Sequence, residues 1–261
     1  MTIALVGDFD HSLFTHRELG NAVALLPDDI EVRWVASEHA RAETLEDIDG
    51  LWVFPGSPYR DDDAVDAAIA WALRSSTPFL GTCSGFQYAC VVVARELAGI
   101  AGARHAERDP GAPDPVVIPL ACSLVGQERE VSCVPGTRLA ALLGSEPFTG
   151  FHWCGYGLAD SFVDRLVAAG VVVSAHAPDA GVEAIELSDH PFFMATLFQP
   201  QVGSRADRPL NPLILAFLDA ARDHAESRRT RISRDPRATA SGGVPQRERG
   251  RRILRSDGPT S

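Results

Sequence analysis

Apolar and polar positions along the chain fall into blocks of two kinds. Short continuous apolar runs at 2–7, 30–35, 50–54 and 78–82 have the length and composition of buried strands. Between them, over 15–26, 63–75 and 84–98, apolar residues recur at helical spacing. A β-α-β-α order predicts a parallel sheet covered on both faces. The expected fold class is therefore α/β, a three-layer sandwich with a mostly parallel central sheet.

The second half is less regular. Pro110, Pro113 and Pro115, set among charges, predict a loop over 103–114. Strands are expected at 115–120 and 128–134, a short helix at 137–143 and another at 160–169. Strands follow at 170–175, 182–187 and 193–198. A last helix over 209–224 carries Leu213, Leu215, Phe217, Leu218 and Ala221. From 226 the periodicity stops, and Arg228-Arg-Thr-Arg231 and Arg249-Gly-Arg-Arg252 bring few core formers. The expected organisation is one domain over 1–225 and a disordered, arginine-rich tail over 226–261.

Charge narrows the chemistry. The chain has 35 acidic and 24 basic residues, and every basic one is arginine. Without lysine there is no Walker A phosphate loop, no pyridoxal Schiff base and no kinase strand lysine. Residues 1–225 hold 14 arginines against 31 acids, while 226–261 hold 10 against 4. So acidic a body argues against nucleic acid as a partner. No run approaches the ~18 apolar residues of a membrane helix. The first strand follows no leader-like segment, so a reducing cytoplasm is the expected location.

The five cysteines are scattered and form no C-x-x-C pair, which argues against a disulfide framework or zinc site. Asp61-Asp-Asp63 stands before a helix and reads as a partner of its dipole rather than a metal site. No metal or cofactor is expected.

The sharpest motif is Pro78-Phe-Leu-Gly-Thr-Cys-Ser-Gly-Phe-Gln87. It reads strand, G-x-C-x-G, helix, the thiol form of a nucleophile elbow. Cys83 would sit at a helix N-terminus, where free amides and the dipole favour the thiolate. The Ser84 amide is a candidate oxyanion donor. A second loop, Phe54-Pro-Gly-Ser-Pro58, lies at the same sheet edge, so Gly56 and Ser57 are further candidates.

With Ala4-Leu-Val-Gly7, Val53-Phe-Pro-Gly56, Glu183-Ala-Ile-Glu-Leu187 and His190-Pro-Phe-Phe-Met-Ala-Thr-Leu-Phe198, these segments resemble the class I glutamine amidotransferases, which have a flavodoxin-like fold. The likeness is to the glutaminase domain at the C-terminal end of CTP synthase, and it covers most of 2–224. It implies a Cys-His-Glu triad that hydrolyses a glutamine amide through a glutamyl thioester. By position, Cys83 is the nucleophile, and Gln87 and Glu107 contact the substrate, Glu107 through its α-amino group. Tyr156 is a pocket residue. The implied partners are glutamine or a related amide and an acceptor or synthetase protein.

Two positions depart from the family. Its last strand ends Phe-His-Pro-Glu, whereas this chain reads Phe198-Gln-Pro-Gln201. Gln199 and Gln201 thus stand where the triad histidine and glutamate belong, and glutamine exchanges no proton near neutral pH. In Phe151-His-Trp-Cys-Gly-Tyr156, Gly155 replaces an arginine for the substrate carboxylate. His105 and His152 are the candidate replacement bases, with His11 and His16 behind them, and His190 reads as structural. An intact elbow favours an enzyme. The two glutamines favour a catalytically silent binder of a glutamine-like ligand, or a regulatory subunit. Another cysteine-dependent hydrolase on this scaffold is a further alternative.

Overall fold

The computed structural model describes residues 1–234, and Met1–Glu226 form one compact unit. The first half runs β1 (Thr2–Val6), α1 (Phe14–Val23), β2 (Glu31–Val35), α2 (Ala42–Leu45), β3 (Gly50–Val53), α3 (Asp62–Ser75), β4 (Phe79–Thr82) and α4 (Ser84–Glu96). The second runs β5 (Val117–Pro119), β6 (Gln127–Cys133), α5 (Arg138–Leu143), β7 (Phe148–His152), β8 (Tyr156–Leu158), α6 (Asp160–Ala168), β9 (Val171–Ala177), β10 (Gly181–Leu187), β11 (Phe193–Thr196) and α7 (Pro212–Arg234).

Nine strands form one sheet in the order β2-β1-β3-β4-β11-β10-β9-β6-β7. From β2 to β11 neighbours are parallel; from β11 outward they are antiparallel. The expected α/β architecture is present, and β5 and β8 pair separately as a short ribbon. Strand alternation assigns the faces of the sheet. Trp52 packs edge-on against Phe217 of α7, and Gly50 lies under Phe217 and Ala221. Val53, on the opposite face, meets Gly85 of α4.

Polar residues at the element ends do specific work. Asp61 caps α3 by accepting from the Ala64 amide, as the reading of that acidic run expects. Both Glu186 oxygens take amides of Arg138 and Leu139, a buried carboxylate on the start of α5. Arg108 binds Asp62, Asp63 and Asp66, and so ties the 103–114 loop to α3.

Three features differ from the sequence reading. The short helix α2 and the strands β7 and β8 were not expected. Gly150 and Gly155 dilute the strand signal there, and the pairing of β7 with β6 supplies what local propensity lacks. The last helix continues to Arg234, beyond the expected end at 224 and across the expected boundary at 225/226. Ala225, Glu226 and the arginines that follow are good helix formers, so α7 propagates past its packed face. The rest of the expected tail, 235–261, lies outside the described residues. Among the described residues no helix is long and apolar enough to cross a membrane.

Two glycine substitutions should separate steric need from mere tolerance. Around Gly20 in α1 there is nothing within 4 Å of an added Cβ. Gly20→Ala should therefore stabilise by about 0.4–1 kcal/mol. A Cβ on Gly85 would lie 2.2 Å from Val53 O, so Gly85→Ala should cost about 1–3 kcal/mol or more. Urea unfolding of both variants measures the difference. Equal midpoints would contradict the packing of α4 on β3.

Candidate active site

Cys83 joins β4 to α4 with φ 54 and ψ −105, a left-handed backbone for a residue with a side chain. Such a conformation costs about 1–3 kcal/mol and persists only where its surroundings enforce it. The surroundings are plain. The Cys83 amide donates to Thr196 O on β11, and its carbonyl accepts from the amides of Phe86 and Gln87 in the first turn of α4. Gly81 and Gly85 flank the turn because neither has room for a side chain. A Cβ on Gly81 would lie 2.7 Å from Gly85 O, and one on Gly85 would strike β3.

The elbow opens into a cavity of about 380 Å³. Its lining includes Gly56, Ser57, Cys83, Ser84, Gln87, Glu107, Trp153, Cys154, Gly155 and Tyr156. Cys83, Ser84, Gly56, Ser57, Gln87, Glu107 and Tyr156, expected from the sequence at this site, thus share one cavity. The Pro55–Ser57 loop is held by His16, which is buried and bonds Pro55 O through Nε2 and the Asp10 amide through Nδ1. Burial lowers the pKa of His16, so the imidazole acts as a neutral brace.

Two of the three amides expected to serve an oxyanion, those of Gly56 and Ser57, are already engaged. Ser84 Oγ accepts from the Gly56 amide at 3.1 Å and from the Ser57 amide at 3.0 Å. Glu107 is the reverse case. Its Oε2 is buried and has no partner among the described residues.

His105 and His152 occupy different settings. His105 Nε2 lies 3.0 Å from Gln87 Oε1, and Nδ1 accepts the Glu107 amide at 3.1 Å. Gln87 in turn donates to Tyr156 O. Burial, aided by the nearby Arg108 charge, lowers the His105 pKa to about 4, which keeps the ring neutral. Both ring nitrogens are thus committed to positioning the cavity wall.

His152, at the end of β7, is completely buried with Glu183 of β10, and Nε2 sits 2.9 Å from each carboxylate oxygen. Its Nδ1 has no partner among the described residues. His152 is not part of the cavity lining.

Gln199 and Gln201 are buried behind the same wall. Gln201 donates to Gln199 Oε1 at 2.9 Å, and the Gln199 amide donates to Phe151 O. Gln199 Nε2 and Gln201 Oε1 are unpartnered among the described residues. His190 bonds Ala72 O and the Phe192 amide, a structural arrangement.

Two participants were not singled out from the sequence. Glu183 is the partner of His152, and Cys154 adjoins Cys83. Cys154 lies in the turn that follows His152, where strand alternation gives no signal of which way it faces.

Known proteins bear on this arrangement. Residues 37–201 match the Peptidase C26 family. The chain is 32% identical over 251 residues to CTP synthase of Staphylococcus carnosus, covering 87% of this chain and 46% of that protein. It is 34% identical over 250 residues to CTP synthase of Pelotomaculum thermopropionicum, covering 87% and 45%. The chain thus spans about half the length of these curated relatives. Its fold is similar to the glutaminase domain of Trypanosoma brucei CTPS with bound acivicin, with a TM-score of 0.76, 23% identity, and coverage of 85% of this chain and 94% of that one. The chain belongs to the Peptidase C26 family, the class I glutamine amidotransferase-like proteins.

Proposed function

We propose that this domain captures the side-chain amide of glutamine, or of a related amide, as a thioester on Cys83 and turns it over slowly. The observation that carries this reading is the strained, buried Cys83 at the N-terminus of α4, opening on a cavity that also holds an unpaired Glu107 oxygen. Glu107 is an acceptor for the substrate α-ammonium group.

Attack by the Cys83 sulfur on the amide carbon forms a C–S bond and places charge on the carbonyl oxygen. The Ser84 amide, with those of Gly56 and Ser57, is the donor set for that oxygen. Substrate must displace Ser84 Oγ from the last two. The C–N bond then breaks, the nitrogen leaves as ammonia with a proton, and water hydrolyses the thioester to the acid.

Both later steps need a proton shuttle, and Gln199 cannot supply one. His105 is read as a positioning residue for Gln87. Of the two candidate bases, His152 alone keeps an unpartnered ring nitrogen. In CTP synthase-named relatives the corresponding domain accompanies further chain, so an acceptor or synthetase protein is the expected partner here.

A second reading, a silent ligand binder, is favoured by one observation. The Ser84 hydroxyl fills the oxyanion amides and the two triad-position glutamines bond each other.

Three outcomes test the proposal. First, Cys83 should alkylate faster than Cys90 and Cys133, both of whose thiols burial pushes up. Mass spectrometry across a pH series reads the rates, and equal rates would remove the nucleophile. Second, Gln199→His with Gln201→Glu should raise glutamate release by about 10²–10⁴-fold, the usual worth of a positioned general base. A folded double variant without gain would move the binder ahead. Third, nothing lies within 4 Å of a Cβ built on Gly155. Gly155→Arg in the double variant should therefore fold and lower KM for glutamine more than it changes kcat. An unchanged KM would mean the carboxylate binds elsewhere.

A further inference from the structure

Two sulfurs meet in the cavity wall. Cys83 lies on the elbow and Cys154 in the turn between β7 and β8, and both line the same cavity. Cys83 Sγ is 3.5 Å from Trp153 O, the carbonyl immediately before Cys154. The Trp153 carbonyl that Cys83 Sγ approaches is joined directly to the Cys154 backbone nitrogen, which sets the two cysteines side by side in the wall. Both thiols are free and almost wholly buried, at 3% and 4% exposure. Cys154 is held at its backbone by the Leu124 amide, which donates to its carbonyl.

We propose that Cys83 and Cys154 are a peroxide-oxidised redox pair, with Cys83 the attacked thiol and Cys154 the resolving one. The Cys83 thiolate attacks one oxygen of a hydroperoxide. An S–O bond forms, the O–O bond breaks, and the leaving oxygen takes a proton and departs as water or an alcohol. Sulfur has lost two electrons and the peroxide has gained them. The Cys154 sulfur then attacks the Cys83 sulfenic sulfur. The S–S bond forms as the S–O bond breaks, and the hydroxide takes the Cys154 proton and leaves as water. A dithiol supplied from outside reduces the disulfide and returns both thiols.

The setting suits each role. The neighbouring Cys83 side chain, together with burial, raises the Cys154 pKa, so Cys154 is the protonated member of the pair and its proton is the one that leaves with the hydroxide. Sulfenic acids with a thiol in reach condense to disulfides instead of oxidising onward. Oxidation needs no general base on the last strand, so glutamine at 199 is no obstacle. The proposal rests on two free cysteines placed in one cavity wall, with Cys83 Sγ against the carbonyl that precedes Cys154, and not on amide turnover. While the disulfide stands, the nucleophile is blocked.

The test uses the full chain, reduced and then exposed to hydrogen peroxide. Intact mass under non-reducing conditions should fall by two hydrogens. Cleavage after Phe86 separates Cys83 from Cys90, and the digest should contain a Cys83–Cys154 linked peptide. Dithiothreitol should restore the starting mass. In Cys154→Ser the link is lost, dimedone should trap Cys83 as its sulfenic acid, and more peroxide should carry it to sulfinic acid. Cys133→Ser should form the same link at the wild-type rate. Wild-type Cys83 passing to sulfinic acid as fast as in Cys154→Ser, with no linked peptide, overturns the proposal. So does oxidation confined to the exposed Cys122. Should Cys154→Ser fail to fold, the wild-type peptide map alone decides. Failure of glutamate release leaves these readouts unaffected, so the two proposals fail separately.

Discussion

Cys83 holds a left-handed backbone between a buried strand and a buried helix, and the rest of the site is built around that turn. The conformation is enforced from three sides: β11 takes the Cys83 amide, α4 takes its carbonyl, and β3 closes against Gly85. The parallel order β3-β4-β11 puts all three at one sheet edge. The loop after β3 then lies beside the elbow, and the segment after β11 runs on to Phe151 and the β7 wall. Helix dipole, oxyanion amides and cavity all follow from the position of this one turn.

The buried polar side chains near the site fall into two kinds. Just past β11, Gln199 and Gln201 bond one another. Each keeps an unpartnered polar atom among the described residues, a cost normally avoided in a buried site. On β7 and β10, His152 and Glu183 form a wholly buried imidazole–carboxylate pair. Breaking such a pair by removing one partner typically costs about 3–5 kcal/mol. It is a fixed polar element of the wall against which Cys154 and Cys83 sit.

Much of the fold and part of the site were legible in the sequence. Continuous apolar runs located β1 to β4, and helical periodicity located α1, α3 and α4, because fully buried strands and amphipathic helices carry their burial in their composition. The G-x-C-x-G frame marked Cys83, since only glycine fits where a backbone approaches this closely. The expectation at Gln199 came instead from the resemblance of Phe198-Gln-Pro-Gln201 to a family segment. The strands β7 and β8 were not legible. They are short and glycine-containing, and their existence depends on partners distant in sequence.

What the sequence determined by itself is the set of chemical groups: a cysteine in a turn that must be tight, a carboxylate at Glu107, and glutamines at 199 and 201. Tertiary structure decided which groups meet. Imidazoles at 105 and 152 are alike as letters, yet one is held neutral against Gln87 and the other is paired with Glu183. Ser84 supplies an amide in sequence terms, but its hydroxyl occupies the amides of a loop 27 residues away. Cys83 and Cys154 lie in separate halves of the chain and share one wall. Composition and local spacing act within a helical turn or a strand, whereas hydrogen-bond partners and sulfur contacts are set by register between strands, which no short stretch of sequence contains.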